Sequence, residues 1–325
     1  MNATLSRDLR VAVVGATGVI GSQLADLLAA RGFPFSELKL FASERGAAET
    51  VTIGNEEELV TELTSPADLA GFDLAFLAAS QSIASEIIRA RPAPILIDLS
   101  TAYRKSSGIP LAAPGLISRE ILIGFKRGGV FGIPHPCAYA LAAIVRALEP
   151  KPAFAGATLM MGASTAGKIE VDKLMKKSAD LLNARLEQAE DEQQLAFNLF
   201  PDEDEANLAA IIASQLATIS DSMPPIELRI VRAPIFYGTA LSIIMPKVSG
   251  MDSWRDRLRS APGLMLVENE RPPSVIDPAG AEAVAVQFEI GGNGASLWCV
   301  IDNARIAAMC AVWAAENLIS NSLLS

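Results

Sequence analysis

Cys137, in the run Pro134-His135-Pro136-Cys137, is the residue of this chain best suited to covalent chemistry. A thiolate attacks aldehyde and acyl carbons readily, and the thioester it forms can give up or accept hydride. The apolar stretch 138–148 predicts a helix, which would put Cys137 at its N-terminus, where the partial positive charge favours the thiolate and lowers the pKa. A small buried core thiol is the competing reading. His135 is the single histidine of the chain. In an extended segment flanked by prolines, it and Cys137 would point to the same side. Its ring could then steady a thiolate; the alternative is a solvated or packed loop residue. Cys299 and Cys310 fall in an expected strand and an expected helix and read as structural.

A second chemical feature lies at the start of the chain. The β-branched run 10–14 is followed by Gly15-Ala16-Thr17-Gly18-Val19-Ile20-Gly21 and then by a helical pattern with Leu24, Leu27 and Leu28 on one face, ending at Gly32. In a strand–turn–helix, Gly15 allows the tight turn, Gly18 lets the backbone approach a pyrophosphate, and Gly21 lets helix pack on strand. The free amides at the helix start favour the phosphates. A second strand, 38–41, ends in Ala42-Ser43-Glu44-Arg45. Ser43 and Arg45 suit a 2′-phosphate and so favour NADP, with Glu44 opposing that charge.

The elements needed to position these groups follow from the hydrophobic pattern. Apolar runs at 73–79, 95–99 and 130–133 alternate with helical or loop segments, the rhythm of a parallel sheet with crossovers. Residues 78–82 form a small-residue loop able to lie under a dinucleotide, or simply a polar loop. From Pro134 the rhythm changes to helices at 167–185 and 205–220 and strands at 227–232, 240–245, 285–290 and 296–301, the last two joined by Gly291-Gly292-Asn293-Gly294. The expected fold is α/β: a Rossmann-type domain, 1–133 with the closing helix in 302–325, plus an α+β domain, 134–301, with a mainly antiparallel sheet.

Length and composition fit that division, since 325 residues exceed one small core and half of them are apolar. A net charge of −10 argues against nucleic acid. Three scattered cysteines make neither a disulfide framework nor a zinc site, and a reducing cytoplasm fits them. The strand-like run begins too early for a signal peptide, and the longest uncharged stretch, 128–145, is broken by Pro134 and Pro136, so no membrane span is expected.

Taken in order, the motifs resemble the aspartate-semialdehyde dehydrogenase family and, within it, the divergent USG-1-like branch. They are Gly15-Ala16-Thr17-Gly18 with Gly21, Ala42-Ser43-Glu44-Arg45, Ile97-Asp98-Leu99-Ser100 leading to Arg104, and Cys137 before a helix. Later come Ser164-Thr165-Ala166-Gly167, Arg232-Ala233-Pro234-Ile235 with Gly238, and Asp302-Asn303-Ala304-Arg305. The resemblance implies a homodimer, NADP, and reductive dephosphorylation of L-aspartyl-4-phosphate, an oxidoreductase step of amino-acid biosynthesis. It implies Cys137 as nucleophile, Arg104 holding the phosphoryl group and Arg232 the substrate carboxylate. For the cofactor it implies Gly15, Thr17, Gly18, Val19, Ile20, Gly21, Ser43, Arg45, Ser164, Ala166 and Gly167.

The chain departs from the family pattern at five points. Thr239 stands where the family keeps its acid–base histidine, and a threonine hydroxyl cannot exchange protons near neutral pH. Met161 replaces the substrate-positioning glutamine, Pro136 the asparagine before the cysteine, and Ile117 an asparagine near the nicotinamide. No lysine occurs between Lys177 and Lys247, although the family uses one beside the phosphate. The expectation is a degenerate site with weak or no turnover, or a non-catalytic NADP-binding homodimer with a binding or regulatory role.

Overall fold

The structure is a computed structural model, and it describes residues 9–54, 56–100, 109–116, 129–183, 194–219, 223–268 and 271–320. The chain divides into two compact units, Met1–His135 with Ala307–Ser325, and Pro136–Ile306.

The first unit is built on β1 (Arg10–Val14), β2 (Glu37–Ala42), a hairpin of β3 (Thr50–Ile53) and β4 (Glu56–Leu59), β5 (Thr61–Glu62), β6 (Leu74–Leu77), β7 (Ile95–Asp98) and β8 (Gly129–Gly132). Six of these make a sheet in the order β5-β2-β1-β6-β7-β8. Its pairings are parallel. Helices α1 (Val19–Ala30) and α2 (Gln81–Ala90) supply crossovers. The strands β6 and β7 are buried throughout, as a parallel sheet covered on both faces requires. The segment after β6 is shorter than the expected 78–82 loop: Ser80 is already the N-cap, and Gln81 and Ser82 belong to α2.

The second unit contains α3 (Pro136–Ala147), β9 (Ala155–Met161), α4 (Lys168–Leu182), β10 (Phe200–Pro201), α5 (Glu205–Ile219), β11 (Ile226–Arg232), β12 (Thr239–Pro246), α6 (Trp254–Ser260), β13 (Leu264–Leu266), β14 (Val284–Ile290) and β15 (Gly294–Ile301). The sheet order is β10-β11-β9-β12-β15-β14-β13. Pairings β10–β11, β9–β12, β12–β15 and β14–β15 are antiparallel, whereas β9–β11 and β13–β14 are parallel. β14 turns into β15 through a tight connection closed by Gly291 N–H donating to Gly294 O at 2.8 Å. The closing helix α7 runs from Asn303 to Ser320, passing from the second unit into the first.

Two local expectations are corrected. The helix bearing Cys137 starts at Pro136, not at residue 138. Proline suits the first helical position because its φ is preset and its missing N–H would have had no helical partner there. The extended geometry expected to align His135 with Cys137 is therefore absent, since Pro136 and Cys137 are already helical. The missing donor at Pro136 also costs the helix nothing.

Candidate active site

In the first unit the glycine turn is tightly built. Gly15 and Ala16 donate N–H to Phe41 O, the penultimate residue of β2, at 2.8 and 3.0 Å, and Gly18 N–H donates to Gly15 O at 3.0 Å. Gly15 has φ +86°, and a Cβ there would lie 2.6 Å from Ala78 O. Gly21 is buried, and a Cβ on it would collide with the Gly15 carbonyl. The N-cap of α1, Gly18, offers no side chain, so the helix start is capped by no side-chain hydrogen bond. Thr17, Gly18, Val19 and Ile20 are all partly open.

Ser43 and Arg45 lie exposed in the turn after β2, where Gly46 and Ala47 donate N–H to Ser43 O at 2.9 and 3.0 Å. A Cβ at Gly46 would approach Thr17 Oγ1 to 2.6 Å, so this turn and the glycine turn are neighbours. Glu44 is exposed beside them. These residues fit a dinucleotide: a side-chain-free cradle, an uncapped helix N-terminus, and a hydroxyl and guanidinium at the adjacent strand end.

In the second unit, sheet register gathers positions far apart in sequence. Arg232 on β11 pairs with Met161 on β9, Met161 pairs with Thr239 on β12, and Thr239 pairs with Ile301 on β15. Residues in register share a face, so Arg232, Met161, Thr239 and Ile301 form one row across four strands. Met161, Thr239 and Ile301 are buried, Thr239 to 0% exposure. Among the described residues the Thr239 hydroxyl has no hydrogen-bond partner.

Arg232, at one end of the row, has an 18% exposed side chain and faces Asp202 Oδ2 at 3.6 Å. At that distance the pair is ionic without a hydrogen bond. Asp202 is the partner that sequence reasoning missed. It directly follows β10, a two-residue strand with no legible pattern.

Cys137 lies in the first turn of α3 and is fully buried, with Pro136 and Ala138 buried on either side. His135, just before the helix, is 7% exposed, which makes it a packed histidine. Cys299 and Cys310 are thiols whose complete burial raises their pKa well above the ordinary range. Ser164 is buried in the 3₁₀ turn Ala163–Ala166 after β9, Ala166 is exposed, and Gly167 has φ +101°. Ser164 Oγ donates to Asn303 Oδ1 at 3.1 Å, and Gly238 N–H donates to the same oxygen at 3.2 Å. In the sequence Asn303 stands out only as part of the motif Asp302-Asn303-Ala304-Arg305. Arg104 and Ile117 lie outside the described residues. Among the described residues no group of acids, histidines and cysteines is arranged to hold a metal, and no helix is long and apolar enough to cross a membrane.

Residues 10–122 match the model of the semialdehyde dehydrogenase NAD binding domain, and residues 141–306 match that of the semialdehyde dehydrogenase dimerisation domain. The chain is 31% identical to a USG-1 protein homolog of Pseudomonas aeruginosa, over 98% of this chain and 100% of that one. It is 30% identical to an aspartate-semialdehyde dehydrogenase of Synechocystis sp., over 97% and 99%. Among solved structures it is similar to aspartate semialdehyde dehydrogenase II of Vibrio cholerae complexed with ASA, with TM-score 0.85, 25% identity and coverage of 97% and 99%. With both halves matched, a Rossmann-like unit followed by an α+β unit, the chain belongs to the aspartate-semialdehyde dehydrogenase family, which includes the USG-1-like homologues.

Proposed function

We propose that this protein is an NADP(H)-binding homodimer whose aspartate-semialdehyde dehydrogenase site is degenerate, with turnover absent or several orders of magnitude below an intact family member. In this reading residues 1–133 with 302–325 are the dinucleotide-binding domain, and residues 134–301 are the catalytic and dimerisation domain. Gly15, Thr17, Gly18, Val19, Ile20 and Gly21 hold the pyrophosphate, Ser43 and Arg45 the 2′-phosphate, and Ser164, Ala166 and Gly167 the far end of the cofactor. When bound, NADP(H) supplies or accepts the hydride. Cys137 is the nucleophile, Arg104 binds the phosphoryl group, and Arg232 binds the substrate carboxylate.

The observation that carries the reading is Thr239. Its hydroxyl stands at the position expected for the acid–base group, is buried and unpartnered, and is paired in register with Met161. Neither side chain can exchange a proton near neutral pH, and losing a general acid–base typically removes about 10²–10⁴ of rate. Met161 also removes a positioning hydrogen bond, which lowers the population of reactive geometries further. Arg232, half-buried and meeting Asp202 only at 3.6 Å, supports a retained anion-binding role. Binding is thus better supported than turnover.

A spectrophotometric assay with aspartate semialdehyde, phosphate and NADP tests the catalytic half of the reading. Brisk turnover by the wild type that is abolished by His135→Ala would overturn it and make His135 the relocated base. Calorimetric titration tests the cofactor: Arg45→Ala should weaken NADPH much more than NADH, and equal losses would remove the 2′-phosphate assignment. Should the wild type bind NADPH firmly and turn over nothing, the non-catalytic binding or regulatory role is the one that stands, as Thr239 favours.

A further inference from the structure

We infer that Asn303 is a positioning residue that fixes the Ser164 loop against the start of β12; this rests on the reading of Ser164 as a cofactor contact. Asn303 is the first residue of α7 and is 5% exposed. Its side-chain oxygen is the meeting point of three chain segments. It accepts from Ser164 Oγ at 3.1 Å and from Gly238 N–H at 3.2 Å, which lie 139 and 65 residues away in sequence.

Two of the segments are already joined by backbone. Gly162 N–H donates to Gly238 O at 3.2 Å, Ala163 N–H to Ile235 O at 2.8 Å and Ser164 N–H to Phe236 O at 2.9 Å. The approach is close enough that a Cβ on Gly162 would come within 2.8 Å of both Gly238 O and Ile235 O. Those bonds hold the backbone of the Ser164 loop but leave its hydroxyl free to rotate. Asn303 removes that freedom, because a hydroxyl that donates to a fixed acceptor keeps one rotamer. The same oxygen satisfies the N–H of Gly238, which adjoins Thr239 and carries φ +91°. Asn303 thereby links the loop assigned to the cofactor with the strand end assigned to the substrate.

The role belongs to the acceptor oxygen, so aspartate should replace asparagine and alanine should not. We expect Asn303→Ala to raise amide hydrogen exchange in 162–167 and 235–239 by about tenfold, the size of one net hydrogen bond, and to weaken NADPH binding by a similar factor. Asn303→Asp should stay within about threefold of wild type in both measurements, since an ionised carboxylate accepts both bonds and sits favourably at a helix N-terminus. Exchange that rises uniformly across the whole second unit in Asn303→Ala would reduce Asn303 to a general structural residue and overturn the proposal. So would unchanged exchange in 162–167, or an Asn303→Asp loss equal to that of alanine, which would shift the role to the amide NH₂. If the wild type does not bind NADPH, the cofactor reading fails while the exchange comparison still decides whether Asn303 positions the loop.

Discussion

Thr239 and Met161 face each other across β9 and β12, both buried, so two departures that look independent in sequence form one packed pair. An unpartnered buried hydroxyl costs about 1–3 kcal/mol. Thr239→Val keeps the shape and removes the hydroxyl; it should raise stability by about 1 kcal/mol in urea unfolding and leave NADPH binding unchanged. A destabilised Thr239→Val would mean that the hydroxyl has a partner. Thr239→His should behave oppositely, because an imidazole placed between Met161 and Ile301 lacks both space and a hydrogen-bond partner. It should lose about 1–3 kcal/mol and restore no activity. Adding Met161→Gln should recover part of that loss through a cross-strand hydrogen bond, with the pair non-additive because the residues touch. Additive effects in the double-mutant cycle would show that the two sites are uncoupled. The cysteines separate along similar lines. All three thiols are fully buried, and burial raises those of Cys299 and Cys310; what sets Cys137 apart is its place in a first helical turn rather than in a strand or helix interior. Iodoacetamide followed by peptide mapping should therefore label Cys137 first.

Among the elements, those with marked periodicity were legible within a residue or two, as with β1, α1, α5 and the β14–β15 hairpin. β9 was not, because Ala155-Gly156-Ala157-Thr158-Leu159-Met160-Met161 is apolar or small throughout. Its alternation of buried and half-buried positions comes from the neighbouring strands and leaves no mark on polarity. The start of α3 is displaced from residue 138 because Pro136, which flanks the expected extended segment, serves as a first helical residue. The members of the row Arg232–Met161–Thr239 were legible only through the family resemblance, because they come together by register, which no local spacing encodes. The glycine turn was fully legible, since its requirement is local. There, Gly21→Ala must push the α1 backbone away from the Gly15 carbonyl. It should abolish NADPH binding in calorimetry and lower the unfolding midpoint, while an unchanged affinity would place the cofactor elsewhere. At the start of α5, Glu205 accepts Ile230 N–H at 2.9 Å and then Arg229, and both hold its carboxyl below the ordinary range. A lowered folded-state pKa contributes stability above the carboxylate range and loses it as pH falls through that range. Wild type should therefore lose more stability than Glu205→Gln between neutral and acid pH, and parallel pH profiles would refute the link.

Assembly is the question for the whole molecule, and the second unit's sheet supplies the argument. Along β12, Leu241, Ile243 and Met245 are buried, whereas Ile244, on the opposite face, is 65% exposed. Its neighbours in register are Gly156 on β9 and Ser296 on β15, and Ser242, one pleat away, pairs with Thr158 and Trp298. The immediate neighbours of the exposed isoleucine are uncharged, and Glu227, Arg229 and Glu289 stand one strand further out on the same face, so a second sheet can meet an uncharged centre inside a charged rim. The dimerisation-domain model of the family covers this whole sheet region, residues 141–306. A two-fold axis through such a face would set each patch against its own copy, the self-complementary arrangement of most homodimers. A stable contact needs roughly 800 Å² from each partner, which a seven-stranded sheet can offer. We predict that light scattering at micromolar concentration gives twice the 34.3 kDa chain mass. Ile244→Lys should shift that mass towards the monomer, because two ammonium groups would meet near the axis without partners. A monomeric wild type would refute the homodimer. A variant that stays dimeric would move the interface off the β12 face and leave the assembly standing.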